Sequence, residues 1–165
     1  MTKLSDIYSN FFLGVDYVKV SDVKAYDVGG GTLTAGDWRT RDINTEDADA
    51  SGICSISSNQ ITLEAGTYFC SIKIPAYLVD NHVPRLYNIS DSEVTIGGQQ
   101  MRADSAYNVG NFCTIVGQFT IATEKTFEVQ HKSTATYATY GMGARTNISD
   151  APSIYVTAEF WRVAT

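Results

Sequence analysis

Gly66-Thr67-Tyr68-Phe69-Cys70-Ser71-Ile72-Lys73-Ile74 and, further on, Cys113-Thr114-Ile115-Val116-Gly117-Gln118-Phe119-Thr120-Ile121 decide the architecture. In the first stretch Tyr68, Cys70, Ile72 and Ile74 fall on one face, while Phe69, Ser71 and Lys73 fall on the other. That period of two is what a half-buried strand requires. The second stretch repeats it, with Cys113, Ile115, Gly117, Phe119 and Ile121 set against Thr114, Val116, Gln118 and Thr120. Phe127, Val129 and His131 oppose Glu128, Gln130 and Lys132, and Ile154, Val156, Ala158 and Phe160 oppose Tyr155, Thr157, Glu159 and Trp161.

Outward from these runs the pattern continues as short strands separated by turn residues. The expected strands are residues 38–44, 60–63, 66–74, 83–88, 93–96, 111–122, 125–133 and 153–163. Strands without intervening helical periods make an all-β sandwich rather than βαβ units. The outer face of the last strand carries Tyr155 and Trp161, more aromatic surface than a solvated face needs. It either packs on another chain or lies on a partly covered sheet, and an opposite register would instead place it in the core.

Residues 1–28 have apolar side chains at irregular spacing, among them Tyr8, Phe11, Phe12, Val15, Tyr17 and Val18, and Gly29-Gly30-Gly31 follows. Residues 1–35 therefore read as an arm with a glycine hinge, and residues 36–165 as the sandwich domain. The arm is too apolar for a solvated tail and is expected to dock on its own body or a partner.

A chain of 165 residues is the size of one domain, and 18 Asp and Glu against 12 Lys and Arg leave a net charge of −6. That balance argues against nucleic acid. No apolar run approaches the ~18 residues that span a bilayer, so neither a membrane nor an export signal is expected. Cys54, Cys70 and Cys113 are odd in number and widely spaced, which suits buried thiols of a protein assembled in reducing cytoplasm.

The sequence offers no catalytic signature: no Gly-x-Ser-x-Gly, no phosphate loop and no dinucleotide fingerprint. No cofactor is implied. His82 and His131 are the only histidines, and structural hydrogen bonding is the expected role of both, with no metal site. Glu46, Asp47 and Asp49 read as a solvated loop rather than a Ca²⁺ site. Gly141-Met142-Gly143-Ala144-Arg145 reads as a mobile loop between strands.

Several ordered motifs resemble a module of tailed-phage virion proteins. They are Ile61-Thr62-Leu63-Glu64-Ala65-Gly66-Thr67-Tyr68, Pro75-Ala76-Tyr77, His82 with Arg85-Leu86-Tyr87-Asn88, and Lys125-Thr126-Phe127-Glu128-Val129-Gln130-His131. Trp38-Arg39-Thr40-Arg41 resembles the entry strand of the module, and residues 154–163 its closing strand. The resemblance spans residues 36–163. It implies a jelly roll of the C1q/tumour-necrosis-factor type, a homotrimer with one sheet of each subunit facing the threefold axis, and no enzyme.

Fibre proteins carry this module on a long shaft, and only a short arm precedes it here. That points to a capsid cement or decoration protein on the virion surface, assembled in the bacterial cytoplasm, whose arm grips the major capsid protein or another virion protein. The alternative is a receptor- or glycan-binding knob of a head or tail fibre, with Tyr107, Tyr137 and Tyr140 on loops facing a host glycan. Tyr155, Trp161, His82 and Arg85 are the expected trimer contacts. A polysaccharide hydrolase fits worst, because no pair of carboxylates stands in a recognisable setting.

Overall fold

The alternation that begins at Tyr68 runs unbroken to Tyr77 and builds one of the two longest central strands of the molecule. In a computed structural model, which describes residues 15–146 and 148–164, twelve strands follow one another without a helix among those residues. They are β1 (Asp16–Lys24), β2 (Arg39–Thr40), β3 (Thr45–Asp49), β4 (Cys54–Ser57), β5 (Gln60–Leu63) and β6 (Gly66–Tyr77). After these come β7 (Asp80–Asn88), β8 (Glu93–Gly97), β9 (Met101–Ala103), β10 (Gly110–Ile121), β11 (Lys125–Ser133) and β12 (Ser153–Ala164).

The front sheet has the order β10-β6-β12-β1-β3 and the back sheet β4-β5-β11-β7-β8, with β2 added on β11 and β9 on β7. Between them Tyr68, Ile72, Ile115 and Phe160 of the front meet Ile61, Leu63, Leu86, Phe127 and Val129 of the back, all fully buried. Each such side chain contributes about 1.5–3 kcal/mol of transfer free energy. Phe119 closes the core, its ring 5.6 Å from Tyr68 and 5.4 Å from Phe127.

The boundary expected at residue 35 disappears. β1 lies inside the front sheet, paired with β12 from Asp16↔Arg162 to Lys24↔Ser153 and with β3 on its other side. Val18 and Val20 are fully buried in the common core. A bulge between Ser21 and Val23 hid this strand, because the buried polar pair Ser21 and Asp22 interrupts the apolar period of two after Val20. Residues 1–14 of the expected arm lie outside the described residues.

The same bulge corrects the last strand. Opposite it, Tyr155 and Val156 are both buried, and Ile154 turns out to 55 % exposure. Glu46, Asp47 and Asp49 are not a loop but the edge strand β3. Ser21 Oγ donates to Asp47 Oδ2 at 2.7 Å, and Asp49 accepts from the amides of Ile53 and Cys54 at 3.1 and 2.8 Å. Neither glycine cluster is a free hinge or loop. Gly141, Met142 and Gly143 are buried, and Gly30 packs so closely on them that a Cβ there would lie 2.5 Å from Met142 O.

Candidate functional site

Antiparallel pairing sets the outward side chains of the front sheet in rows. One row runs Gln118, Phe69, Trp161 and Tyr17, and the next Val116, Ser71, Glu159 and Lys19. The Trp161 ring centroid lies 5.5 Å from Tyr17 and 5.7 Å from Phe69, a contiguous aromatic strip on a face meant for water. Tyr17 OH donates to Glu159 Oε1 at 2.7 Å, and partial burial pushes its phenol up to about 12. Val116, Phe112 and Val163 stay 54 %, 58 % and 46 % exposed on this side. At the far end Phe112, Ile154, Tyr77, Lys73 and Thr157 line an open cleft of about 450 Å³. One antiparallel face may be solvated at no cost when polar, so an apolar strip of this extent is an unpartnered surface.

A second cluster lies inside the sandwich. Arg41, His82, Cys113 and His131 are at most 2 % exposed. Arg41 Nη1 stands 3.1 Å from His131 Nδ1, and a guanidinium has no lone pair to accept with, so that nitrogen is the acceptor. The proton of neutral His131 is therefore on Nε2, which donates to His82 Nδ1 at 2.9 Å, and His82 Nε2 donates to Asn111 Oδ1 at 2.8 Å. Asn111 Nδ2 passes the direction on to Arg102 O at 2.7 Å. Arg41 also donates to Pro75 O at 2.9 Å and Met142 O at 2.6 Å. Burial pulls the guanidinium down to about 10, still charged at neutral pH. It drives both imidazoles below their ordinary value, His131 further because Arg41 and His82 add to the burial.

Cys113 Sγ lies 3.1 Å from His82 Nδ1, so Cys113, His82 and Asn111 stand in the sequence of nucleophile, base and orienting amide. Catalysis does not follow from that order. Burial pushes the thiol up to about 12, and it is wholly sealed from solvent. The ligand atoms of His82, Cys113 and His131 also lie within 4.8 Å of one another. A metal on His131 Nε2 would need a hydrogen on Nδ1, which points at a guanidinium that can only donate, and would add a dication beside a buried cation. The arrangement is a buried hydrogen-bond relay in which one donor, Arg41 Nε, has no partner.

Of the expected trimer contacts, Trp161 stands on the front face, and Tyr155, 8 % exposed and donating to Val28 O at 2.6 Å, lines the cleft at its far end. His82 is buried in the relay. Arg85 is on the outer face of the back sheet, stacked 4.0 Å from the Trp38 ring and 4.5 Å from Tyr87, with Nε donating to Gln130 at 2.8 Å. Among the loop tyrosines, Tyr137 and Tyr140 pack together at 6.5 Å, whereas Tyr107 is 79 % exposed on the separate β9–β10 loop. Phe69, Phe112 and Val116 escaped the reading of the sequence, although each is an apolar residue on the polar side of its strand. Arg41 gave no signal, since its partners are 34, 90 and 101 residues away.

No protein-family model matches the chain, and no curated protein matches it either. Solved structures do. Murine APRIL aligns over 90 % of this chain and 99 % of its own at 10 % identity and a TM-score of 0.59. The fold is that of the C1q/tumour-necrosis-factor jelly roll. The globular domain of zebrafish complement 1qA protein aligns over 90 % of this chain and 96 % of its own, again at 10 % identity, with a TM-score of 0.54. At such identity the jelly roll is shared and nothing more specific.

Proposed function

We propose that this jelly roll is a non-catalytic structural protein of a bacteriophage particle, a homotrimer whose front sheets face the threefold axis. Its role is that of a cement or decoration protein on the capsid surface. The strip of Tyr17, Phe69 and Trp161, continued by Val116 and Phe112, carries the proposal of self-association. A closed cyclic assembly would bury that face on every copy at once. The resemblance of the motifs between residues 36 and 163 to tailed-phage virion proteins supports the particle.

Because β1 is committed to the front sheet, a grip on the major capsid protein falls to residues 1–14. One observation favours the second reading, a receptor- or glycan-binding knob: Tyr107 stands 79 % exposed on a loop, as a sugar-stacking ring would. Cryo-electron microscopy of the native virion tests both. Threefold density spread over the icosahedral shell is expected, density confined to the tail or to sparse spikes selects the knob, and absence from the particle refutes both.

A further inference from the structure

The buried relay closes one end of the sandwich, and a separate piece of chain leans on it. Residues 29–33 lie against residues 137–143: Gly30 N donates to Gly143 O at 3.0 Å, Gly31 N to Thr139 O at 2.9 Å and Met142 N to Gly31 O at 2.9 Å. Leu33 and Tyr137 form a β-bridge. This two-segment flap covers a small second core of Leu33, Ala76, Val79, Ala103 and Met142, distinct from the main one. The tie between the flap and the relay is Arg41 Nη2 to Met142 O, while Nη1 holds Pro75 O on β6 and His131 on β11. One buried cation thus joins flap, front sheet and back sheet.

We propose that the relay is a proton-sensitive latch: protonation of His131 or His82 drives Arg41 off Met142 O and frees the flap, uncovering the second core while the main core stays folded. Each imidazole lone pair of the relay already has its donor. A proton on His131 Nδ1 would meet the guanidinium 3.1 Å away, and one on His82 Nδ1 would face the Nε2 hydrogen of His131 and the Cys113 thiol. The ionisable groups facing the two imidazoles are Arg41 from the β2–β3 connection, Cys113 from β10, and each other. Among the described residues no carboxylate touches either ring; Asp22 on β1 and Asp42 reach the relay only through their attraction for Arg41. A buried second cation therefore has no counter-charge, and the weakest element beside it gives way. That element is the flap, with five buried apolar side chains behind it against eighteen in the main core.

The sign is fixed by neutral imidazoles in the closed form and ordinary ones, titrating near ~6.5, in the open form. Closure is complete above that pH and lost as pH falls. Between pH 7 and 5 the opening constant rises about 25-fold for each histidine that reaches water.

Hydrogen exchange of the full chain by mass spectrometry at pH 7 and 5, corrected for the intrinsic rate, reads this directly. Residues 29–33 and 137–143 should gain about 25-fold or more while β6, β11 and β12 hold their protection. A flap that stays protected, or a rise shared by all strands, overturns the latch. Ring-nitrogen NMR of the unaltered protein gives a second test: both histidines should carry their proton on Nε2 at pH 7 and charge only as the flap opens. An imidazolium forming near pH 6.5 under a closed flap overturns it as well.

Discussion

Replacing Val116 by lysine should convert the proposed trimer to folded monomers. Val116 is 54 % exposed midway along β10, the edge strand of the front sheet, paired with Ser71. The isolated protomer should change by no more than about 0.5 kcal/mol, as exposed substitutions do. In a trimer built on front faces the three ammonium groups are drawn in around one axis, and the carboxylate of their row, Glu159, already accepts from Tyr17 OH. Desolvating each costs several kcal/mol, and taking about 3 per protomer gives roughly 9 kcal/mol per trimer. That is about six orders of magnitude in the association constant. Sedimentation velocity should find the natural chain near three times 18.0 kDa and V116K near 18.0 kDa, with the β-sheet circular dichroism retained. Val94→Lys, 49 % exposed on β8 of the back sheet, is the control and should leave the mass of the assembly unchanged. A monomeric natural chain, or a V116K trimer as tight as the original, refutes the assignment of the front face.

Arg41→Met strands Pro75 O, Met142 O and His131 Nδ1 without a donor and should cost about 4 kcal/mol in urea unfolding, despite the charge it removes from the interior. Deleting residues 1–28 removes β1 from between β12 and β3 and should give no cooperative transition; a truncation as stable as the full chain would contradict the pairing. Cys70 and Cys113 are fully buried, and burial raises Cys54, Cys70 and Cys113 to about 12, 11 and 12. Ellman's reagent at pH 8 should therefore label none of them within minutes in the native protein and all three after denaturation.

Strands buried on one side only were readable wherever their alternation was unbroken. Residues 60–63 and 125–133 coincide with β5 and β11, and β6, β7, β8, β10 and β12 were reached to within a few residues. Bulges and short edges defeated the reading. β1 lost its period at Ser21 and Asp22, β3 is written in acids that resemble a loop, and β2 keeps only two residues of an expected seven-residue strand because Arg41 turns inward to the relay. The front face was half legible, since Trp161 announces it while Phe69, Val116 and Phe112 need the pairing register to show that they are neighbours. His82 and Arg85, close in sequence, point to opposite sides of β7 by the alternation of the strand itself.

The acids of β3 bear on how many molecules come together. A front sheet with a bare edge would accept another strand, and copies could then add one after another into an open ribbon without limit. Glu46, Asp47 and Asp49 line that edge with negative charge, on a chain already at −6, and so repel the same edge of any neighbour. Growth by main-chain pairing is blocked there, while burial of the apolar face ends as soon as a ring closes. The two features together would hold the proposed assembly to a finite size, even at high protein concentration.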